Sequence, residues 1–303
     1  MNYPTEKVFD HLRALAVRFF EQGRDLDARR KLMDQYFCVH PSTSELHGQW
    51  SPVRTGHIPM EWVVANAADP NRRILYIHGG SWISGSLAGY RAFLSRVSQA
   101  AKAVVLSVDY RLAPEYLFPA GLEDCVQAYQ WMRENGPDGN EPAGATYLMG
   151  DSAGGNLALT ALLKVRDSRL ALPAAVIAIS PPTDFTWGSP SLVSRAAVDP
   201  IINPTLLPAL IRFYLGTHTQ PTNPYVSPLF GDYSGMPPLL LQVGDAEVLL
   251  DDSTRLAEHA AEQGCEVTLE VWNGMPHVFQ GFAPFLPEAS EATAKIGEFI
   301  RQH

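Results

Sequence analysis

Residues 147–160 read YLMGDSAGGNLALT: an apolar run that stops at a glycine, one serine among small residues, then a second apolar run. The text before it, ATYLM (145–149), is that of a buried strand, and NLALTALLKV (156–165) is helical in pattern. Between them, Gly150-Asp151-Ser152-Ala153-Gly154 matches G-x-S-x-G in the strand–turn–helix setting that this motif requires. Glycines lack a Cβ, so a cramped turn can form against the neighbouring strand and helix. The reading places Ser152 at the end of a sheet and the start of a helix, where backbone N–H groups and the positive dipole end face whatever reacts there. A glycine-rich turn of this kind could also cradle a phosphate. However, neither G-x-G-x-x-G nor GK[ST] is present, so both nucleotide fingerprints fail.

Outward from this turn the chain alternates between strand and helix. Strand text occurs at RRILYIHGG (72–80), AVVLSVDYR (103–111), AAVIAIS (174–180), PLLLQVG (238–244) and EVTLEVW (266–272). Helical text lies between and after these runs, at 89–102, 120–135, 152–168, 252–264 and 288–302. Such alternation predicts an α/β fold with a mostly parallel sheet covered by helices on both faces. Ahead of it, residues 5–37 read as two helices broken at Gly23, with Val8, Leu12, Leu15 and Phe19 on one face. QWSPVRTG (49–56) and IPMEWVVAN (58–66) read as an antiparallel hairpin. The stretch from Pro182 to Pro238 interrupts the alternation with proline- and aromatic-rich text and a single helical run, NPTLLPALIRFYLG (203–216). Long insertions between sheet elements tend to be lids or binding loops.

The bulk numbers exclude several classes. The 303 residues are 46% hydrophobic and 18% charged, enough for a sizeable core in one large domain. Net charge is −9 with no basic run, which argues against nucleic acid as a partner. Three widely spaced cysteines, Cys38, Cys125 and Cys265, offer neither a disulfide framework nor a zinc-ligand spacing, so no metal is expected. The first twenty residues mix charges among apolar positions, unlike a secretory signal, and no run approaches the ~18 apolar residues of a membrane span. No membrane partner and a cytoplasmic location are the expectation. The strand EVTLEVW and the C-terminal helix are the one surface suggested for a homodimer.

A second motif, YIHGGSW (76–82), ends the strand two before that of Ser152. Consecutive glycines at a strand end can aim their amides at a common point, as an oxyanion requires. Gly79 and Gly80 are the expected donors, with the Ala153 amide as the third. In the chain order Ser…acid…His, four histidines follow the serine: His218, His259, His277 and His303. His218 lies in the insertion, His259 is mid-helix and His303 is terminal. His277, in the loop after the last strand, is the expected base. A carboxylate must hold its tautomer, and Asp245, Glu247, Asp251 and Asp252 all follow the strand 238–244. Asp251 and Asp252 read as N-caps of the next helix, which leaves Asp245 and Glu247 open. Asp151 is expected to brace the turn, and Arg111 and Glu115 to make structural pairs. Trp82, Phe185 and Trp187 are candidate substrate-pocket residues, with Phe213 and Tyr214 beside them; ordinary core packing is the competing reading for each.

Five blocks, HGGSW (78–82), DYRLAPEYLFPAGLED (109–124), GDSAGGNLA (150–158), EVLLDDS (247–253) and GMPHVFQGF (274–282), occur in this order. Together they resemble the hormone-sensitive-lipase-like (bacterial family IV) esterases of the α/β-hydrolase superfamily. The resemblance implies a single domain over 1–303 with cap elements at approximately 1–45 and 183–235. It implies a carboxylesterase for short- to medium-chain acyl esters, with Ser152 as nucleophile, His277 as base and no cofactor. It also favours Glu247 over Asp245, because EVLLD fits the acid's block in frame. Two departures stand out: glutamate replaces the usual aspartate, and Ser81 stands where the family often has a third glycine. The latter suggests a narrower acyl pocket that disfavours esters of bulky tertiary alcohols. Hydrolysis of lactones or amides by the same triad, and a non-catalytic small-ligand binding protein on the same fold, are the alternatives.

Overall fold

The computed structural model describes residues 3–303 except 24 and 218. The first two strands form a hairpin, β1 (Gln49–Thr55) and β2 (Ile58–Val64), paired antiparallel across a turn in which Gly56 has φ +54°. Six strands follow: β3 (Asp69–Ile77), β4 (Ala103–Val108), β5 (Ala145–Asp151), β6 (Ala175–Ile179), β7 (Leu239–Gly244) and β8 (Val267–Trp272). They join in one 8-stranded sheet of order β1-β2-β4-β3-β5-β6-β7-β8. Only the β1–β2 and β2–β4 pairs are antiparallel; β4 through β8 run parallel. Every residue of β4, β6 and β7 is buried, which is why these strands read as unbroken apolar runs rather than alternating ones. β8 forms an edge of the sheet and is only half-covered, with Val271 exposed.

Successive side chains of a strand point to opposite faces, and two apolar layers result. On β3, Leu75 and Ile77 join Leu157, Leu122 and Leu256 in one layer. Ile74 and Tyr76 join Phe93, Val97, Ile296 and Leu12 in the other. The first layer is roofed by α4 (Ala120–Glu134), α5 (Ala153–Asp167) and α8 (Leu250–Glu262). The second is roofed by α3 (Leu87–Ala101), α9 (Pro287–Gln302) and the N-terminal pair α1 (Tyr3–Glu21) and α2 (Leu26–Met33). The described residues of the insertion hold two further α-helices, α6 (Ser191–Ser194) and α7 (Leu207–Leu215), and short 3-10 turns. Among the described residues, no helix is long and apolar enough to cross a membrane.

Polar contacts tie both irregular stretches to the sheet end that carries Ser152. Asn156, in the first turns of α5, donates to Pro182 O at 2.9 Å and Val226 O at 2.8 Å, and so holds both stems of the insertion. Asp252 accepts from the Thr183 and Asp184 amides and from the Ser189 hydroxyl; Asp251 accepts from the Ser191 amide. This corrects the capping expectation. α8 starts at Leu250 with no side-chain cap, so both aspartates fall inside its first turn and are free to reach across to the insertion. On the N-terminal side, Arg30 of α2 donates to Ile83 O at 2.9 Å and grips Glu115 through both carboxylate oxygens at 2.9 and 2.7 Å. Arg111 pairs instead with buried Asp124, at 2.8 Å.

Candidate active site

Five chain segments converge at the carboxyl ends of the parallel strands, the edge where open α/β sheets present their ligand sites. The turn after β5 carries the serine. Ser152 has φ +51° and ψ −123° and donates its N–H to Ile179 O at 2.8 Å, and α5 starts at Ala153. A non-glycine residue at positive φ is strained, and such strain concentrates at functional turns. The flanking glycines are required by space: a Cβ on Gly154 would collide with the Ile77 carbonyl, and one on Gly150 with the Gly154 carbonyl. The strand and helix on either side thus leave the serine hydroxyl projecting from the sheet end.

His277 enters from the loop after β8, with Nε2 2.9 Å from Ser152 Oγ. Its Nδ1 lies 2.6 Å from Glu247 Oε2. The other oxygen of Glu247 accepts from the Ser180 hydroxyl at 2.7 Å and from the Gly244 amide at 2.8 Å. Glu247 is fully buried, so these hydrogen bonds replace all the water it would otherwise hold. Asp245 is turned elsewhere. Its Oδ1 accepts from the Gly274 amide at 2.6 Å, which closes the turn after β8, whereas the His277 ring bonds to Glu247 and Ser152. Burial acts to lower the pKa of His277, but the charge and hydrogen bond of Glu247, with the charges of Asp199 and Asp151, outweigh it; the net shift is upward.

The turn after β3 differs from the expectation in one donor. The Gly79 amide is already engaged, 2.9 Å from Asp151 Oδ1 and 3.1 Å from Tyr90 Oη. Asp151 also accepts from Tyr76 Oη–H at 2.7 Å and Tyr90 Oη–H at 3.0 Å, so this carboxylate ties the β3 turn to the β5 turn. Burial pushes the Asp151 carboxyl up, against the pull of these hydrogen bonds. Gly79 is therefore not an available donor. The open amides on this turn are those of Gly80 and Ser81, which meet no acceptor among the described residues. Gly80 has φ +115°, and Ser81 and Trp82 follow at +59° and +61°, so the serine adopts the backbone a third glycine would have taken freely. Ala153, first residue of α5, presents the remaining amide.

The aromatic candidates form one cluster beside this turn. Trp82 stacks on Tyr214 of α7 at 4.8 Å between ring centroids and meets Phe185 edge-on at 5.3 Å. Phe185 in turn stacks on Trp187 at 5.8 Å. Trp82 and Phe185 are buried and Trp187 half-buried, whereas Phe213 is exposed. Trp82 Nε1 and Tyr214 Oη have no hydrogen-bond partner among the described residues. Of the other histidines, His259 Nε2 contacts Gly231 O at 2.9 Å and His303 packs on Phe299. His218 lies outside the described residues.

Three residues at the site were not singled out for these contacts by sequence. Ser180 follows β6 directly, and its position at the carboxyl end of a parallel strand is a signal that could have flagged it. Tyr36, after α2, donates to the His277 carbonyl at 2.8 Å with no local motif to mark it. Ser81 stands out in the sequence only as a departure in pocket size. Chemically, a buried carboxylate that accepts from Nδ1–H leaves Nε2 unprotonated and able to take a hydroxyl proton, with open amides nearby for a developing oxyanion.

A family model described as the alpha/beta hydrolase fold matches residues 74–281. An acetyl-hydrolase of Streptomyces hygroscopicus is 41% identical over 249 residues, which cover 82% of this chain and 81% of the relative. An esterase of Acinetobacter venetianus is 35% identical over 273 residues, 90% of this chain and 88% of the relative. A crystal structure of an esterase from the bacterial hormone-sensitive lipase family superposes with a TM-score of 0.91 at 38% identity, over 100% of this chain and 98% of the other. The turn that carries Ser152, the mostly parallel sheet and these likenesses together establish that the chain belongs to the α/β-hydrolase fold family, among its bacterial hormone-sensitive-lipase-like esterases.

Proposed function

We propose that the protein is a carboxylesterase that works through an acyl-enzyme intermediate on Ser152. The observation that supports this most directly is the unbroken hydrogen-bonded line Glu247–His277–Ser152, at 2.6 and 2.9 Å. In this reading His277 Nε2 takes the Ser152 proton as Oγ attacks the ester carbonyl, and Glu247 stabilises the imidazolium. The amides of Gly80, Ser81 and Ala153 bind the oxyanion; one such donor is typically worth about 3 kcal/mol in the transition state. The imidazolium then protonates the leaving alcohol. Water attacks the acyl-enzyme by the same route and releases the acid.

The substrate class we assign is esters of short to medium acyl chain. The acetyl-hydrolase and esterase relatives support it, and so does the buried Trp82–Tyr214–Phe185 cluster, which limits room beside the β3 turn. Residues 1–45 and 183–235 act in this reading as a cap, in keeping with the hold of Arg30 and Tyr36 on the Ile83 and His277 carbonyls and of Asn156, beside the nucleophile turn, on the insertion's backbone. All three cysteines are free thiols, which suits a reducing cytoplasmic setting.

Two experiments test the reading. A fluorophosphonate should label Ser152 stoichiometrically, and p-nitrophenyl acetate and butyrate should be turned over faster than the laurate and longer esters. Absence of labelling would favour a ligand-binding role; equal rates along the series would remove the chain-length assignment. The second concerns pH. A general base must be neutral, and the pKa of His277 is raised above the ordinary histidine value of about 6.5. The acid limb of kcat/KM should therefore have its midpoint above pH 6.5, with activity lost below it and a plateau above. A profile flat from pH 5 to 8 would remove His277 as the base.

A further inference from the structure

The peptide unit that joins His277 to Val278 is held at both of its polar atoms by hydroxyls from distant parts of the chain. Its carbonyl accepts from Tyr36 Oη–H at 2.8 Å. Its N–H donates to Ser180 Oγ at 3.3 Å. Ser180 in turn donates its own hydrogen to Glu247 Oε1 at 2.7 Å, so its lone pair is left to receive the Val278 amide. The same peptide leads into a strained residue. Val278 has φ +52° and ψ +42°, a left-handed conformation that a β-branched side chain resists. Rotation of the preceding peptide is a direct way to relieve such strain. It would swing the His277 carbonyl and the Val278 N–H out of place and shift the imidazole that shares the His277 Cα.

Both hydroxyls oppose that one rotation, and neither is free to follow it. The Tyr36 ring is buried, stacked on Phe282 at 5.9 Å and edge-on to Phe37 at 5.1 Å. Ser180 is fully buried and itself fixed by its amide, which donates to Gln242 O at 2.8 Å. We infer that Tyr36 and Ser180 are positioning residues for His277: their hydroxyls hold the 277–278 peptide against its backbone strain and keep Nε2 aimed at Ser152. The inference rests on the reading of His277 as the base. It makes the N-terminal stretch a working part of the catalytic geometry as well as a cover over it.

The test uses the full chain with Tyr36→Phe, Ser180→Ala and the double variant. Each single change should lower kcat for p-nitrophenyl butyrate about tenfold, as loss of one well-placed hydrogen bond does. KM should stay within about twofold, because the hydroxyls do not touch substrate. Fluorophosphonate labelling should slow in proportion. The double variant should lose less than the product of the singles, since both hydroxyls restrain one peptide. Tyr36→Phe keeps the ring packing and leaves Glu247 untouched, so it isolates the clamp. Adding Val278→Gly to it should recover most of the lost rate, because glycine carries no strain at positive φ. Wild-type kcat in both single variants, a rise in KM at unchanged kcat, or no recovery with glycine would overturn the inference. A His277→Ala control separates the two levels. If it still turns over substrate, the base assignment itself has failed; if it is inactive while the hydroxyl variants match wild type, only the clamp has.

Discussion

Ser152→Ala should lower p-nitrophenyl butyrate turnover by roughly five to six orders of magnitude, the scale seen when a serine nucleophile is removed from an assembled triad. The argument is local. Oγ is the only heavy atom lost, and its hydrogen-bond partner among the described residues is His277 Nε2 at 2.9 Å. Alanine keeps a Cβ, so it meets the same strain at φ +51° that serine does. The turn, the hydrogen bond from the Ser152 N–H to Ile179 O and the start of α5 depend on backbone alone and should survive. Thermal melting should therefore stay close to wild type while fluorophosphonate labelling disappears. Turnover within tenfold of wild type would mean that another group performs the attack.

Glu247→Gln should cost kcat about three to four orders of magnitude, and the reason lies in proton placement. Two donors, the Gly244 N–H and the Ser180 O–H, face Oε1. The Gly244 amide cannot reverse its direction, so a glutamine would set its carbonyl there and turn its NH₂ toward His277 Nδ1. That forces the proton onto Nε2, where it faces Ser152 and blocks proton abstraction. An aspartate-to-asparagine change in a serine-protease triad lowers kcat about 10⁴-fold by the same route. Asp245→Asn is the matched comparison. Among the described residues the Asp245 side chain accepts only the Gly274 amide, and asparagine can accept it too, so kcat should change by no more than about threefold. If Asp245→Asn proves the damaging change and Glu247→Gln the mild one, the acid has been assigned to the wrong carboxylate.

These two carboxylates mark where sequence reasoning thins out. Both follow β7, two residues apart, and either can reach back toward the sheet end. What separates them is the course of the turn: it points Asp245 at the 272–274 backbone and Glu247 inward to Ser180, Gly244 and His277. The extra methylene of glutamate is accommodated because its far oxygen has two fixed donors waiting. Gly79 is a similar case. Two neighbouring glycines look equivalent in text, but Asp151 takes the first amide, and the open pair shifts by one residue to Gly80 and Ser81. Asp251 and Asp252 likewise lie inside the first turn of α8 and not at its cap, and the packed insertion supplies the backbone amides that they accept.

Local text by itself determined the turn at Ser152, the alternation that builds the parallel sheet, the leading hairpin and the loop that carries His277. Each depends on interactions within a few residues: apolar periodicity, glycine spacing and the chain order of strands. Between the two carboxylates local text left the choice open and only the block EVLLD favoured Glu247, the residue that meets the imidazole; tertiary structure alone decided which amides stay open, and that hydroxyls at positions 36 and 180 close on the 277–278 peptide. Those outcomes hinge on the direction and spacing of groups on segments up to 241 residues apart. Such geometry is set by how two apolar layers pack against one sheet, and no local pattern encodes it.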